Sequence, residues 1–284
     1  MLKRILVPVR GDGMGDIVLS HASVLAHRHN AHIVVAHCRP NPSEMVPYHA
    51  GLFKFARETM LQQAAELSNQ EEAELRERLH ERARALDLSE TREPKGDRPS
   101  VEFIEETGRM MDIVRHQGRL ADLIAVAKPD RDRNLGTNTL KAGLFQTGRP
   151  VLMCPAQSAP PAEIGAHVAV AWNGSLEAAR MVALTLGLVE AAQTVTILYG
   201  GKPLTYGTTV DELVGYYALR GVSASVRRFE AQNPGAALLS EASSAGADLL
   251  LMGAYSVSHE RETLLGGNTQ AVVDKAEMAV VMAH

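Results

Sequence analysis

The residues with the most evident chemical use lie close to the end of the chain. Gly253 and Ser256 are followed by nine residues and then by Gly266, Gly267, Asn268 and Thr269, just ahead of a helical pattern. Glycines let backbone N–H groups approach phosphate oxygens closely, and the N-terminus of the following helix adds partial positive charge. The same stretch also reads as a plain turn in which Asn268 or Thr269 is an N-cap. Ser256 carries a hydroxyl that donates a hydrogen bond, but it resists the positive φ that glycine accepts.

Other groupings carry less. Arg10-Gly-Asp-Gly-Met-Gly15 follows a strand pattern, yet its spacing is GxGxG rather than the dinucleotide GxGxxG. No acidic residue closes the second strand, where His37, Cys38 and Arg39 stand. His27, His29, His32 and His37 straddle a helix end, a turn and a strand, so their side chains diverge and no metal site is expected. Cys38 and Cys154 end two apolar runs, lack CxxC spacing, and read as buried free thiols. Glu105 and Glu106 are adjacent rather than facing, which suits solvent. No paired base and nucleophile stands out, so catalysis beyond slow nucleotide hydrolysis is not expected.

The elements that would hold such a loop occur twice. KRILVPV at 3–9 and HVAVAW at 167–172 each lead toward a glycine, Gly11 and Gly174. ADLIAVA at 121–127 matches ADLLLMG at 247–253, LGTNT at 135–139 matches LGGNT at 265–269, and PVLM at 150–153 matches AVVM at 279–282. A period of half the chain is too long for a solenoid and fits two copies of one α/β domain. Continuous Val/Ile/Leu strands alternating with helical patterns predict a parallel sheet covered on both faces. The expected units are 1–155, a Pro-containing linker at 156–161, and 162–284. The first contains an added helical stretch at about 47–88, whose apolar stripe includes Leu61, Ala64, Ala65, Leu67, Leu75, Leu79 and Ala83. In such sheets ligands sit at the carboxyl ends of the strands, where the strand order reverses.

On these strand entries, on the ADLLLMG strand and on the glycine loop after it, the whole chain resembles the universal stress protein family in its tandem form. The resemblance implies two Rossmann-like (adenine nucleotide alpha hydrolase-like) domains, each with a five-stranded parallel sheet and helices on both faces. It implies that they join through their last strands as an internal pseudo-dimer. Nucleotide-binding members carry Gly, two residues, Gly, nine residues, Gly and then Ser or Thr. The second half keeps that spacing, with Ser256 at the second glycine and Gly267 at the Ser/Thr. The implied ligand is ATP or another adenine nucleotide with magnesium, held by Ala171, Trp172, Asn173, Gly253, Ser256, Gly266, Gly267, Asn268 and Thr269. The family's Asp after strand one is replaced by Asn173 in the second half and by Arg10 in the first. The first-half loop, Ala127 to Gly136, lacks the early glycines and reads as a solvated loop of alternating charge. The alternative is a scaffold or signalling protein with decayed sites, working through protein partners or as a homodimer.

Composition narrows the classes further. Twenty-nine Lys and Arg against 33 Asp and Glu give a net charge of −4, so no electrostatic case for nucleic-acid binding exists. The longest apolar runs are strand-length, far short of a membrane span. The first residues lack a long apolar core and a cleavage site, and a cytoplasmic protein is expected.

Overall fold

A computed structural model describes residues 2–10, 13–39, 54–156, 159–200, 207–231, 233–254 and 267–284. Its first half runs β1 (Arg4–Val9), α1 (Gly15–His29), β2 (His32–Arg39), α2 (Lys54–Ala85), β3 (Ser89–Glu90), β4 (Ser100–Thr107), α3 (Met110–Gly118), β5 (Leu123–Ala127), α4 (Thr137–Gln146) and β6 (Val151–Cys154). The second runs β7 (His167–Trp172), α5 (Leu176–Leu184), α6 (Leu186–Glu190), β8 (Thr194–Gly200), α7 (Val210–Ala218), β9 (Ala224–Phe229), α8 (Pro234–Ser244), β10 (Leu249–Gly253), α9 (Gly267–Lys275) and β11 (Ala279–Ala283). Helices between strands are what parallel pairing requires, because a hairpin cannot return the chain in the same direction.

Among the described residues, eleven strands form one sheet in the order β3-β4-β2-β1-β5-β6-β11-β10-β7-β8-β9. Every pairing is parallel except the central one, where β6 and β11 run antiparallel with Leu152 opposite Val281. The last strands of the two halves thus lie side by side about a pseudo-twofold axis, as the resemblance implied. The first half exceeds the expected five strands by one. Its extra strand, β3, has two residues and pairs only with Ser100 and Val101 of β4.

Alternate residues of each strand enter opposite cores, as the two-residue pleat demands. Ile5, Val7, Ile33, Val170, Leu251 and Val281 face α1, α2, α5 and α7, meeting Leu19, Leu79, Met181 and Tyr217. Leu6, Val34, Ala169, Leu250 and Val280 face α3, α4, α8 and α9, meeting Val114, Leu140, Ala242 and Val272. Leu75, Leu79 and Ala83 of α2 are buried at helical spacing against the sheet. The side chains of Leu61, Ala64, Ala65 and Leu67 lie outside the described residues.

The repeated Ala-Asp-Leu has a physical job in both halves. Asp122 Oδ2 accepts from the N–H groups of Lys3 and Arg4, at 2.8 and 2.9 Å. Asp248 accepts from Gly165, Ala166 and His167, at 2.7, 3.1 and 3.0 Å. Each carboxylate thereby satisfies the unpaired donors at the start of the neighbouring first strand. Among the described residues, no helix is long and apolar enough to cross a membrane.

Candidate functional site

The strand order reverses between β10 and β7 in the second half. Helix α5, which follows β7, packs on one face of the sheet, and α9, which follows β10, packs on the other. A crevice between such strands at their carboxyl ends is where doubly wound sheets bind ligands. Trp172, Asn173 and Gly253 stand at these strand ends. The crossover from β10 to β11 puts the N-terminus of α9, with Gly267 and Asn268, at the same edge.

The loop after β7 is tightly organised. Asn173 Oδ1 accepts from Ser175 N at 3.1 Å, and Ser175 Oγ accepts from Ala178 N at 3.2 Å as the N-cap of α5. Gly174 has φ +76, and a Cβ there would stand 2.6 Å from the carbonyl oxygen of Thr208. No other residue fits both that conformation and that approach. Trp172 Nε1 donates to the same carbonyl at 3.1 Å, so the segment before α7 is drawn across the end of β7. Thr209 then starts α7 through a capping box with Glu212. The Thr209 N–H and hydroxyl both donate to Glu212 Oε2 and hold its carboxyl below the ordinary range.

Gly253 closes β10 against the first turn of α5. A Cβ at this position would lie 2.6 Å from Ala178 N and 2.7 Å from Glu177 C. Backbone meets backbone here, a close approach that only glycine allows. At α9, Gly267 has open space where a Cβ would go, Asn268 is exposed, and Thr269 is 5% exposed. Gly235 of α8 lets that helix press onto the α9 N-terminus, where a Cβ would be 2.8 Å from Asn268 Cα. Ala171 turns its side chain into the opposite core rather than toward the crevice. Ser256 and Gly266 lie outside the described residues.

Two participants escaped the sequence reading. Thr208 organises the crevice through its backbone carbonyl, which leaves no trace in residue type. The neighbouring Thr209-x-x-Glu212 is a legible capping signal. Glu177 is 7% exposed in the first turn of α5, beside Gly253, where the helix N-terminus favours a carboxylate.

The matching place in the first half is built differently: Arg131–Asn134 are exposed, as expected of a solvated loop, but the loop is also tied down. Residues 130–135 close on themselves through the Asp130–Leu135 bridge, and Asp130 Oδ1 accepts from Arg133 N at 3.1 Å. Two of the basic residues, Lys128 and Arg131, turn to the other half. Lys128 Nζ donates to the carbonyl of Ala276 at 3.0 Å, and Arg131 Nε meets Asp274 Oδ1 at 3.0 Å. Both cations sit at the C-terminus of α9, where positive charge is favoured. Gly136 has φ +81 and approaches Pro129 so closely that a Cβ would be 3.2 Å from its Cα. The first-half loop is therefore a clamp on α9 rather than a cradle.

The histidines diverge. His27 Nε2 meets the Leu86 carbonyl at 2.8 Å, His32 Nδ1 meets Ser100 Oγ at 2.9 Å, and His29 is buried. Among the described residues no three His, Cys, Asp or Glu side chains converge on a metal position. Burial pushes the Cys154 thiol far above its ordinary value and raises that of Cys38 as well.

Neither a protein-family model nor a curated protein matches this sequence. Solved structures do. A universal stress protein from Archaeoglobus fulgidus DSM 4304 aligns at a TM-score of 0.69 and 14% identity, over 99% of this chain and 97% of its own. A putative universal stress protein from Pseudomonas aeruginosa UCBPP-PA14 aligns at 0.55 and 16%, over 99% and 93%. A functionally unknown protein from Pseudomonas aeruginosa PAO1 aligns at 0.56 and 16%, over 99% and 92%. At these identities the likeness is one of fold. The chain has the fold of full-length tandem universal stress proteins.

Proposed function

We propose that the chain is a tandem universal stress protein, with units at 1–155 and 162–284, whose second half binds ATP or a related adenine nucleotide. The observation that carries this reading is the reversal of strand order between β7 and β10, with the start of α9 at their carboxyl ends. Two glycines there, Gly174 and Gly253, allow backbone to close on backbone, and α9 begins with an exposed Gly267 and Asn268. Such a helix start suits a phosphate, through free N–H groups and the helix dipole. When bound, the nucleotide would bring its own magnesium. The chain's residues would hold the base end at Trp172 and Asn173, and the phosphates at Ser256, Gly266, Gly267 and Asn268. Thr269, being buried, would support the helix start rather than touch the ligand. The protein is read as cytoplasmic and as a binding module rather than an efficient enzyme.

One observation favours the second reading, a scaffold with decayed sites acting on protein partners. The Asn173 side-chain oxygen already accepts from Ser175 N, so the acceptor that would read an adenine amino group is engaged within the chain. Homodimerisation through the last strands is also closed, because β6 and β11 pair within the chain. Mass spectrometry of small molecules released from the purified, denatured protein tests the choice. A stoichiometric adenine nucleotide supports binding; its absence together with failure to take up added nucleotide supports the scaffold.

A further inference from the structure

At the first-half end of the sheet the outer edge is only partly covered. Strand β3 pairs with Ser100 and Val101 and then leaves, while β4 runs on to Thr107. Ser100 N donates to the carbonyl of Ala31, just ahead of β2, so the even-numbered residues of β4 turn both backbone groups to β2. The odd-numbered ones turn theirs outward, as Val101 does in accepting from Thr91 N at 2.9 Å. Phe103 and Glu105 therefore present N–H and C=O at the open edge, and no partner meets these groups among the described residues.

Beside this edge, against α2, lies a cleft of about 640 Å³. Its floor is apolar, because Leu75, Leu79 and Val101 are buried and Phe103 packs on the same core. The His80 ring forms a wall, 4.2 Å from that of Phe103 between centroids. Open edges are ordinarily blunted by short strands, charge or bulges. Here the α2 face of the edge opens into an apolar groove instead.

Charge is unequally matched along the lining. Glu105 is neutralised by Arg39 at 3.3 Å and by Arg76. Among the described residues, Glu90 meets only His80, at 2.9 Å, and Glu102 meets only His32 Nε2, at 3.6 Å. Burial lowers the His32 pKa, so that ring is neutral at pH 7 and Glu102 has no cation beside it. Arg92 is exposed, and Glu90, Glu102 and Glu105 against Arg76 and Arg92 leave the lining net negative.

We infer that β4 accepts an extended segment of a partner protein as an added strand, bound through the N–H and C=O groups of Phe103 and Glu105. The segment would alternate apolar and basic residues. Its apolar side chains enter the cleft over Phe103 and Leu79, and a Lys or Arg stands beside Glu102 on the opposite face of the sheet. Strand β3 shows the mode, being the same addition cut to two residues. The site is separate from the proposed nucleotide site and does not depend on it.

Fluorescence anisotropy of the labelled peptide acetyl-TKVKVKT-amide, titrated with the full-length protein, tests this. Saturable one-to-one binding is expected, with the acidic peptide TEVEVET weaker by about tenfold or more. Glu105→Pro removes an outward N–H, which an edge strand tolerates. Checked for an intact melting transition, it should weaken binding by about tenfold, while Glu105→Gln changes it by less than about threefold. A second measurement needs no protein variant. Alternate N–H groups of an added strand face β4 and solvent, so N-methylating either the lysine or the valine amides should abolish binding in one set and spare it in the other. No saturable binding, equal affinity for TEVEVET, or tolerance of both methylated sets would overturn the assignment. So would self-association of the protein that is lost in Glu105→Pro, which would give the edge to a second copy of the chain.

Discussion

Acid should unfold this protein through His29, and the size of the effect follows from where that residue lies. His29 is 6% exposed at the end of α1, and its Nε2 is buried with no hydrogen-bond partner among the described residues. Burial, reinforced by the positive charges of Arg28 and Lys3, lowers its pKa from 6.5 to about 4. The unfolded chain therefore binds a proton between these values that the folded chain refuses. Above pH 6.5 both states are neutral and the stability is intact. As pH falls from 6.5 toward 4 it is progressively lost. Each pKa unit is worth about 1.4 kcal/mol, so the full effect is roughly 3 kcal/mol, of which about 2.5 kcal/mol develops by about pH 4.5. Urea unfolding of wild type and His29→Leu at about pH 7.5 and about pH 4.5 measures it. The variant should lose about 2.5 kcal/mol less stability across that interval than the wild type. His21, whose pKa burial also lowers, is common to both proteins and cancels in the difference. Equal pH dependence in the two proteins would refute the reasoning.

Three further outcomes are expected. Asp248→Ala strips the partner from three backbone N–H groups and should cost on the order of 2–4 kcal/mol in urea unfolding, with Asp248→Asn recovering part of it. Gly253→Ala forces a Cβ into the first turn of α5 and should cost about 1–3 kcal/mol while weakening nucleotide binding. Hydrolysis of ATP with magnesium or manganese should stay below about one turnover per second; faster turnover abolished by a single substitution would show a catalytic site.

Much of the architecture was legible because it repeats. The matched strand entries and the two Ala-Asp-Leu motifs announce two like halves, and each aspartate reappears as the anchor of a neighbouring strand. Strand β3 was illegible, since two residues carry no periodicity. The clamp on α9 was illegible for another reason. Alternating Lys, Asp and Arg after β5 predict solvent exposure, which Arg131–Asn134 have, but Lys128 and Arg131 also find partners almost 150 residues away in sequence, which leave no local signal. The candidate site is intermediate. Its glycines were visible, and the structure explains Gly174 and Gly253 by close backbone approach. The Thr208 carbonyl that organises the crevice is a main-chain atom with no signature in residue type.

The most direct test of the central claim is calorimetric titration of magnesium-ATP into wild type, Gly267→Val and Thr137→Val. Gly267 has open space at its Cβ position at the start of α9, and Thr137 is its counterpart at the start of α4. A branched side chain at Gly267 would occupy the proposed phosphate position. It should weaken binding by more than about tenfold, equivalent to roughly 1.4 kcal/mol, while Thr137→Val leaves the affinity unchanged. Equal losses at both positions, or a loss confined to Thr137→Val, would contradict a nucleotide site in the second half.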